Sequence, residues 1–538
     1  IKTQMTRCIH CTRCIRFATE VAGIPELGAI GRGENMQITT YLEKAMMSEM
    51  SANVIDLCPV GALTSKPYVF EARPWELKKT ETIDVMDAVG SNIRVDTYGW
   101  EVKRVLPRIN EEINEEWISD KTRYACDGLK NQRLDVPYVK IDNKLKQSNW
   151  DKAFKIILEK IIHTSPNKIA GFIGDMTNME TIYSIKEFFD KIINSQNLES
   201  RDEKYYINTS SRSNYTFNSS IEGIEDSDLI LLIGTNPRYE ATLLNSRIRK
   251  THIKKNLPIY SIGDVGDLTY PYKCFENSTL VIKDILDNKH ELSDKIKKSK
   301  KPLIILGQSI LKHNSGTYVF EEIKKYLEKN DLTTNEWNPL NIISNDAATV
   351  GALDLNVISN DSSNEIFHKL ERNKFEILFL IGQDNLNFKK NNEFIIYIGS
   401  HGDRGASIAD VILPSAAFTE QDGYYTNLEG RLQKSYKASY PPGEAKEDWE
   451  IINELSLLIK KRKLYDNKNI LIDSMFNFLN LKKKELENFN VPKYEFINEK
   501  IFVDQIDYYH SNVIARASKT MSECKNIRMN LPKTGTEG

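Results

Sequence analysis

The segments TRCIHCTRCIR (residues 6–16) and DLCPVGAL (residues 56–63) carry the pattern that decides how the start of this 538-residue chain folds. The first segment places three cysteines at steps of three, and 43 residues separate the third from a fourth, which a proline follows. A C-x2-C-x2-C run with a distant Cys-Pro is typical of a ferredoxin-type cubane site. Three thiolates at this spacing can reach three irons from one loop, and the fourth comes from a remote turn. We therefore predict that one [4Fe–4S] cluster is held by Cys8, Cys11, Cys14 and Cys58.

Two other kinds of cysteine site compete with the cubane. Structural zinc usually takes two C-x(2–4)-C pairs, or one pair with two histidines, and this sequence has no second pair. A radical enzyme that uses S-adenosylmethionine leaves one iron without a protein ligand and usually spaces its first two cysteines more widely. Four available thiolates therefore favour a fully ligated cluster, which passes electrons and performs no bond chemistry.

Three arginines, Arg7, Arg13 and Arg16, flank the cysteines of the first segment. A cluster held by four thiolates is net negative, so nearby guanidinium groups should raise its reduction potential. A solvated basic face explains the same residues equally well, and both interpretations stay open at this point.

The composition excludes several classes of partner. The chain carries 73 basic and 75 acidic residues, and a formal net charge of −2 recruits neither nucleic acid nor an anionic membrane by bulk electrostatics. Apolar runs such as 228–234 and 375–382 are far shorter than a bilayer span and predict buried strands. We therefore expect no nucleic-acid partner and no direct membrane insertion.

Cysteine usage favours ligation in a reducing compartment over a disulfide framework, because four of the seven cysteines form one motif. The other three are scattered along the chain, and we predict unpaired, inert thiols at Cys126, Cys274 and Cys524.

Long blocks of sequence follow one another in the order found in a known family. They are MTRCIHCTRCIRF (5–17), GRGENMQITTYLEK (31–44), IDLCPVGALTSKPYVFEARPWE (55–76), ETIDVMDAVGSNIRV (81–95), INEEWISDKTRYACDGLKNQRL (113–134), GDRGASIADVILPSAAFTEQDGYYTNLEGR (402–431), PPGEAKEDWEIINELS (441–456) and YYHSNVIARASKTMSECKN (508–526). These blocks resemble the large iron–sulfur subunit of respiratory complex I (NADH:ubiquinone oxidoreductase), above all its mitochondrial form. Between about 137 and 390 the resemblance is weak.

The resemblance implies an electron-relay subunit that is not itself catalytic. In that family NADH reduces FMN on a neighbouring flavoprotein subunit, and single electrons then pass along a chain of clusters to ubiquinone. The implied partners are the flavoprotein subunit and the subunits on the quinone side of the peripheral arm. The implied location is the matrix side of the mitochondrial inner membrane, or the cytoplasmic side of the membrane in a bacterium.

Complete members of the family begin with a plant-ferredoxin-like [2Fe–2S] domain and a second cubane held by one histidine and three cysteines. Both lie upstream of the block that matches the start of this sequence. We therefore expect either a truncated chain or a second polypeptide that supplies these two clusters.

Residues 77–133 resemble the small iron–sulfur module that opens molybdopterin oxidoreductases, in which C-x2-C-x3-C and a later cysteine hold a cubane. The corresponding frame in this chain is Asp84-x2-Asp87-x3-Ser91, with Ser119 near the fourth position. Hard oxygen ligands are poor substitutes for thiolates on a cubane, so we predict no cluster there. Without that cluster or a recognisable ligand to molybdenum, we expect no molybdopterin.

From about 137 to 460, continuous apolar strands alternate with helical segments, which predicts parallel sheets covered on both faces. The predicted fold is α/β: a small ferredoxin-like cluster domain followed by a molybdopterin-oxidoreductase-like body of doubly wound parallel sheets. The predicted domains are the cluster domain (1–76), a degenerate module without a cluster (77–136), the α/β scaffold (137–460) and a C-terminal helical extension with a tail (461–538).

Two alternative functions stay open. A catalytic molybdopterin oxidoreductase would bind molybdenum, and a structural protein with a zinc or vestigial site would contain no redox-active iron. Loops after residues 173 and 233 follow strand ends, where nucleotides bind in doubly wound folds, but neither matches a dinucleotide or P-loop signature. We predict an empty or vestigial crevice at these strand ends.

Overall fold

The computed structural model describes residues 1–40, 45–358, 364–482 and 491–529. The end of the block 31–44 and the predicted tail at 530–538 lie outside the described residues. The strands are β1 (Lys2–Thr3), β2 (Leu27–Ile30), β3 (Gln37–Thr40), β4 (Leu63–Thr64), β5 (Lys78–Ile83), β6 (Asn92–Tyr98), β7 (Glu101–Pro107), β8 (Tyr138–Ile141), β9 (Lys144–Gln147), β10 (Ile169–Ile173), β11 (Leu198–Glu199), β12 (Leu229–Ile233), β13 (Ile259–Ile262), β14 (Lys273–Phe275), β15 (Pro302–Leu306), β16 (Leu340–Ile342), β17 (Ile377–Ile381), β18 (Phe394–Gly399), β19 (Val411–Pro414), β20 (Gly423–Thr426) and β21 (Leu432–Ser435).

The helices of the body alternate with its strands, and further helices occur before and after it. They are α1 (Arg13–Arg16), α2 (Asn53–Leu57), α3 (Asp120–Tyr124), α4 (Trp150–Ile162), α5 (Met179–Phe188), α6 (Pro237–Glu240), α7 (Thr242–Lys255), α8 (Thr279–Leu286), α9 (Glu291–Lys298), α10 (Gln308–Lys312), α11 (Gly316–Lys329), α12 (Thr349–Asp354), α13 (Glu365–Glu371), α14 (Arg404–Ile408), α15 (Asp448–Lys460), α16 (Lys468–Lys482), α17 (Val513–Ala517) and α18 (Lys519–Met529).

Short elements build the beginning of the chain. Strand β1 pairs with β4 in antiparallel fashion, and β2 pairs with β3 as a hairpin. A three-stranded antiparallel sheet, β5-β6-β7, follows within the described residues, and α3 packs against β7. We call residues 77–127, which contain this sheet and α3, the 77–127 module.

The larger sheet of the body has seven strands in the described residues, in the order β11-β10-β17-β18-β19-β8-β9. Its first five strands run parallel, as the continuous apolar runs predict. Side chains alternate between two cores: Ile169 and Ile173 of β10 pack on one face of the sheet, and Ala170 and Phe172 pack on the other. Both faces are therefore covered, as a parallel sheet requires.

One edge of this sheet departs from the predicted parallel arrangement. Strand β8 runs antiparallel to β19 and forms a hairpin with β9. The two turn residues, Asp142 and Asn143, have φ values of 53° and 60°. Two consecutive left-handed residues make the kind of tight turn that matches the twist of paired strands. This turn joins β8 to β9 as an antiparallel hairpin, whereas the alternation of strands and helices predicts a helical connection between parallel strands.

The smaller sheet of the body has five parallel strands in the described residues, in the order β14-β13-β12-β15-β16. It lies in sequence between β11 and β17 of the larger sheet. Leu229, Leu231 and Ile233 of β12 enter one core, whereas Ile230 and Leu232 enter another that also includes residues from the cysteine region. The two sheets are the doubly wound layers that the sequence predicts.

The C-terminal region returns to the beginning of the chain. After α16, Ile501 packs into a core of the five-stranded sheet. Val513, Ile514 and Met521, from α17 and α18, then enter the core of the 77–127 module. Residues 508–526, the last block that resembles the family, therefore lie against the 77–127 module.

Candidate iron–sulfur centre

The three-cysteine loop is a chain of tight turns. A 3₁₀ turn, Met5–Arg7, ends at Cys8, and α1 begins directly before Cys14. His10 and Thr12, the residues that flank Cys11, have φ values of 55° and 60°. Left-handed backbone at residues other than glycine is uncommon and persists where the surroundings fix it, often at ligand sites. These two turns coil the chain between successive cysteines.

The sulfur atoms of this loop lie close enough to influence one another. Burial raises the pKa of the Cys14 thiol, and the thiolate charges of Cys11 and Cys8 raise it further. The backbone N–H of His10 donates to Cys8 Sγ at 3.4 Å, which is a bond that stabilises a thiolate ligand. Cys8 and Cys14 are half-buried, and Cys11 is exposed.

The fourth cysteine lies at the end of a short helix. Helix α2 ends at Leu57, and Cys58 has left the helical conformation, with ψ of 109°. Burial opposes ionisation of Cys58, but the backbone N–H groups of residues 60–63 surround its sulfur and lower its pKa overall. The turn needs Gly61, which has φ of 66°. A sulfur that accepts several N–H groups is prepared to bind a cation as a thiolate.

Strand pairing brings the two parts of the motif together. Lys2 pairs with Thr64 and Thr3 pairs with Leu63, and Gln4 N donates to Ala62 O at 2.8 Å. The segment directly before the three-cysteine loop is thereby fixed to the segment directly after Cys58. The 43 residues between Cys14 and Cys58 close a loop whose ends meet.

Both parts of the motif rest on one apolar layer. Cys14 and Cys58 pack against the core that includes Phe17, Val54 and Leu63 and that continues into one face of the five-stranded sheet. The ring of Trp117, from the 77–127 module, lies 4.9 Å from that of Phe17. The cysteines therefore have a rigid, water-excluding floor, which a buried cluster requires.

The four cysteines of the motif offer the donor set of the predicted cubane. Among the described residues, no group of three His, Cys, Asp or Glu side chains is arranged to hold a single metal ion. In a cubane each cysteine binds a different iron, so its four sulfurs lie farther apart than the ligands of one zinc. The donor set, four cysteines held by two adjoining turns, is the set that a [4Fe–4S] cluster takes.

The three flanking arginines differ in their surroundings. Arg16 forms an exposed ion pair with Glu20, Nε to Oε1 at 3.1 Å. Arg7 instead reaches toward the Cys58 turn, because a Cβ built on Gly61 would lie 3.7 Å from Arg7 Nη1. Arg7 therefore faces the site, whereas Arg16 is neutralised by Glu20 at the surface.

The degenerate frame in the 77–127 module is a buried hydrogen-bonded network. Thr122 Oγ1 donates to Asp84 Oδ2 at 2.7 Å and lies 2.8 Å from Ser119 Oγ. Burial, together with the charge of Asp87, raises the pKa of Asp84 to about 7. Asp84, Asp87, Ser91 and Ser119 are all buried. The frame positions that the sequence aligns with cluster ligands therefore occupy one interior site and bond to protein groups.

Carboxylates follow three strand ends of the body; Asp384 is buried, and Asp175 and Asp346 are half-buried. Asp175 follows β10, Asp384 follows β17 and Asp346 follows β16. Burial raises the pKa of Asp175 and of Asp384 to about 6, and it raises that of Asp346 well above its usual range. Sequence reasoning noted only the loop after residue 173, which carries Asp175, and missed the acidic character of all three loops, for which the signal is an aspartate shortly after each strand.

The C-terminal segment fills much of the same crevice. A cavity of about 50 Å³ remains beside Asp384, and Val513 and Ile514 of the C-terminal segment line it. Arg516 Nε donates to Asp403 Oδ2 at 2.6 Å, and Arg516 Nη1 donates to Asn385 Oδ1 at 3.0 Å. Pockets for small molecules and cofactors usually have roughly 300–1,000 Å³, so this cavity is smaller than a typical cofactor pocket.

Cys126, Cys274 and Cys524 do not belong to the motif, although Cys126 lines the same cavity as Cys58. Cys274 is exposed on β14. Burial raises the pKa of Cys524 to about 11 and that of Cys126 to about 12, so both thiols stay protonated at neutral pH. The structure contains all seven cysteines among its described residues, and it shows each of them as a free thiol.

The sequence patterns of three protein families match parts of this chain. Residues 1–64 match the ferredoxin-like domain of NADH-quinone oxidoreductase subunit 3. Residues 77–127 match the 4Fe-4S domain of the NADH-ubiquinone oxidoreductase NDSU1/NuoG-like family. Residues 133–457 match molybdopterin oxidoreductase, which confirms the predicted order of a ferredoxin-like region and a molybdopterin-oxidoreductase-like body.

Relatives match almost the whole chain. It is 43% identical over 555 residues to the NADH-ubiquinone oxidoreductase 75 kDa subunit of Reclinomonas americana, covering 98% of this chain and 80% of the relative. It is 44% identical over 544 residues to an NADH-quinone oxidoreductase subunit of Rickettsia bellii, covering 99% and 78%. The mitochondrial NADH-ubiquinone oxidoreductase 78 kDa subunit of Candida albicans is 43% identical over 556 residues, covering 97% and 74%.

Among solved structures, acetylene hydratase from Pelobacter acetylenicus aligns with 82% of this chain and 77% of its own at 12% identity and a TM-score of 0.49, a likeness too weak to carry an argument. The sequence relatives decide the matter, because each exceeds 40% identity and this chain covers more than two thirds of each. The chain belongs to the family of the large iron–sulfur subunit of NADH:ubiquinone oxidoreductase, which includes the 75 kDa and 78 kDa subunits and their NuoG-like bacterial counterparts.

Proposed function

We propose that this chain is a non-catalytic electron-relay subunit of respiratory complex I. It passes single electrons from the NADH- and FMN-binding side toward ubiquinone through one [4Fe–4S] cluster. The proposed ligands, which are the site residues predicted from the sequence, are Cys8, Cys11, Cys14 and Cys58. The observation that carries the proposal is the pairing of β1 with β4, which sets the three-cysteine loop beside the Cys58 turn.

The bound cluster supplies reversible one-electron chemistry. The chain supplies the rest: thiolates from two adjoining turns, N–H groups directed at the sulfurs of Cys8 and Cys58, and an apolar floor that excludes water. These are the means by which a protein fixes the position of a redox centre and sets its potential. The exposed side of the motif at Cys11 leaves a path for electrons to a neighbouring subunit.

The proposal includes the prediction that the 77–127 module binds no cluster in this chain, although it matches a domain described as a 4Fe-4S domain. The support is the chemistry of the frame, because Asp84, Asp87, Ser91 and Ser119 present oxygen atoms where thiolates would be needed. Thr122 already occupies a bonding position of Asp84. Iron beyond one cubane would contradict this part of the proposal.

The proposal also includes the absence of molybdopterin. Where a pterin nucleotide would need hydrogen-bond donors for its phosphates, the loops after β10, β16 and β17 present Asp175, Asp346 and Asp384, whose carboxylates only accept when ionised. The C-terminal segment, with Ile514 on the wall of the small cavity, leaves too little space for one. A catalytic molybdopterin oxidoreductase is therefore disfavoured as the function of this chain, and the body serves as scaffold and docking surface.

The proposed partners are other subunits of the peripheral arm of complex I, namely the FMN- and NADH-binding flavoprotein subunit and the subunits on the quinone side. The names of the relatives support this assignment, and one of them is described as mitochondrial. The proposed location is peripheral on the matrix side of the mitochondrial inner membrane, or on the cytoplasmic side of a bacterial membrane.

Among the described residues, no helix combines the length and the apolar character needed to cross a bilayer.

The test is electron paramagnetic resonance (EPR) on the anaerobically reconstituted full chain after reduction with dithionite, with iron, zinc and molybdenum counted on the same sample. We expect a reduced-cubane signal, about four irons per chain and no molybdenum. In Cys58→Ala the signal should be lost or replaced by that of an incomplete cluster, whereas the matched variant Cys274→Ala, at an exposed thiol, should keep it. One zinc per chain and a silent spectrum would overturn the proposal in favour of a structural protein.

A further inference from the structure

The helix that delivers Cys58 is too short to hold its own position. Helix α2 has five residues, and its N-cap residue is Ala52, which has no polar side chain to cap it. Isolated helices of this length are unstable in water, and their stability comes from tertiary contacts. The position of Cys58, directly after the helix, therefore depends on whatever holds α2 from outside.

The N-terminal end of α2 is held by Asp120 of the 77–127 module. Asp120 Oδ1 accepts from the backbone N–H of Ala52 at 2.9 Å, and Asp120 Oδ2 accepts from Ser51 Oγ at 2.6 Å. Asp120 N in turn donates to Glu49 O at 2.7 Å. A carboxylate at the beginning of a helix performs the function of an N-cap, and here it comes from a segment 68 residues away in sequence.

Asn53 joins the first turn of α2 to the same segment. Asn53 Nδ2 donates to Ile118 O at 2.8 Å, and Ile118 N donates to Asn53 Oδ1 at 3.2 Å. The side chain is fully buried. This reciprocal pair fixes the rotation of the helix against the module.

The last turn of α2 is held by Arg123. Its Nη1 donates to Asp56 Oδ1 at 3.3 Å, its Nη2 forms a second bond to the same carboxylate, and Nη2 also reaches Asn53 Oδ1 at 3.3 Å. The Arg123 side chain is 4% exposed. A buried guanidinium that grips a carboxylate at two points sets both distance and orientation, and Asp56 lies two residues before Cys58.

The holding residues are themselves fixed by the degenerate frame. Asp120 and Arg123 both lie on α3, whose N-cap is Ser119. Ser119 Oγ accepts from Thr122 N at 3.1 Å, and Thr122 Oγ1 donates to Asp84 Oδ2 at 2.7 Å. Two positions that the sequence aligns with cluster ligands therefore hold α3 in place.

We propose that the 77–127 module positions the fourth cluster ligand, with Asp120 and Arg123 clamping the two ends of the helix that ends at Cys58. This rests on the proposed function, because it takes Cys58 as a ligand. The module keeps a part in electron transfer without a cluster of its own: its frame fixes α3, α3 fixes α2, and α2 fixes the Cys58 sulfur. Asp120 and Arg123 are positioning residues and do not touch the cluster.

The test compares Arg123→Gln with Arg94→Gln in the full reconstituted chain. Arg94 lies in the same module and pairs with Asp96, Nε to Oδ1 at 2.9 Å, and Asp96 keeps Arg104 as a second partner at 2.8 Å. We expect Arg123→Gln to broaden the reduced-cubane EPR signal, shift its g-values and midpoint potential, and lower the iron count per chain. Arg94→Gln should keep the spectrum and potential of the wild type.

A second readout does not require the cluster. In the metal-free chain, Arg123→Gln should speed amide hydrogen exchange across residues 53–58 and alkylation of Cys58, with exchange in β5–β7 unchanged. If Arg123→Gln does not fold, Asp120→Asn takes its place, because the amide keeps one acceptor and loses one of the two bonds to Ser51 and Ala52. Wild-type spectra, potential and exchange in the folded variant would overturn the inference, whereas a wild-type chain without any cubane would overturn the proposed function instead.

Discussion

Arg7 extends from the three-cysteine loop to the Cys58 turn, so that a Cβ at Gly61 would lie 3.7 Å from Arg7 Nη1. The guanidinium lies next to the N–H groups that lower the pKa of Cys58. A positive charge at this place favours the more negative, reduced state of a thiolate-bound cluster. We therefore expect the electrostatic interpretation of the flanking arginines to apply to Arg7 and the surface interpretation to apply to Arg16.

Replacing Arg7 by Gln should lower the midpoint potential of the cluster. The expected shift is on the order of tens of millivolts, because the charge is exposed and partly screened, and Arg7→Lys should recover part of it. EPR-monitored redox titration measures the shift at fixed pH. Arg16→Gln is the matched control, since Glu20 already neutralises Arg16. An equal shift of the midpoint potential in both variants would show that only the total charge near the cluster matters and that the position of Arg7 does not.

Asp84→Asn should stabilise the folded chain at alkaline pH more than at acidic pH. Burial raises the pKa of Asp84 from 3.8 to about 7, so the folded state holds the proton more tightly than the unfolded state. The stabilisation that this proton provides is complete below pH 4 and is lost as the pH rises through 7. The amide mimics the neutral carboxyl, so its gain at pH 8 should exceed its gain at pH 5 by about 2–3 kcal/mol, because each pH unit between the two pKa values changes the balance by about 1.4 kcal/mol.

Thermal unfolding of the wild type and of Asp84→Asn at the two pH values measures this difference. Asp142→Asn serves as the control, because the Asp142 side chain is 87% exposed in a turn, and it should show no difference between pH 5 and pH 8. A gain from Asp84→Asn that is the same at both pH values would mean that Asp84 is ionised throughout and that Lys121 compensates its charge.

Breaking the ion pair between Arg133 and Glu420 should lower the free energy of unfolding far more than breaking a surface pair. Its atoms lie 2.5 and 2.6 Å apart, and the two side chains are 10% and 5% exposed. Removal of one partner leaves the other charge buried, which costs about 3–5 kcal/mol. Arg133→Met should therefore lower the free energy of unfolding by about that amount in denaturant titration.

The matched comparison is Arg431→Gln, which breaks the surface pair with Glu112, whose side chains are 40% and 53% exposed. Exposed pairs contribute about 0–1 kcal/mol, so this variant should unfold close to the wild type. A similar loss of unfolding free energy in both variants would contradict the prediction. It would show that Arg133 is hydrated in solution and that its pair with Glu420 is not buried.

The sequence was enough to predict the cysteine motif and the body, because both rest on local signals. The spacing of Cys8, Cys11 and Cys14 is visible in eleven consecutive residues, and runs such as Ile377–Ile381 report a buried parallel strand through their composition alone. The relatives and matching families confirm the fold class and the family. The four ligands themselves stay a prediction.

Contacts between distant segments could not be predicted from the sequence. Nothing near Asp120 or Arg123 indicates that they bond to residues 68 and 67 positions away, since a helix that begins with aspartate has an ordinary local explanation. The return of Arg516 to the strand ends is equally invisible, because a basic residue near the end of a chain resembles a solvated one. The antiparallel hairpin at Asp142 was missed because its turn lies within a general pattern of crossovers.

The last prediction concerns the close packing of the C-terminal segment against Gly128, directly after the 77–127 module. Gly128 has no side chain where Ile514 O approaches, and a Cβ built there would lie 2.1 Å from that oxygen. Gly128→Ala must therefore displace α17, which should cost about 1–3 kcal/mol and raise hydrogen exchange across 513–529. Gly28→Ala is the control, since a Cβ there meets nothing within 4 Å. If Gly128→Ala leaves exchange in this segment unchanged, then the C-terminal helices do not pack against the module in solution and do not fill the crevice at Ile514.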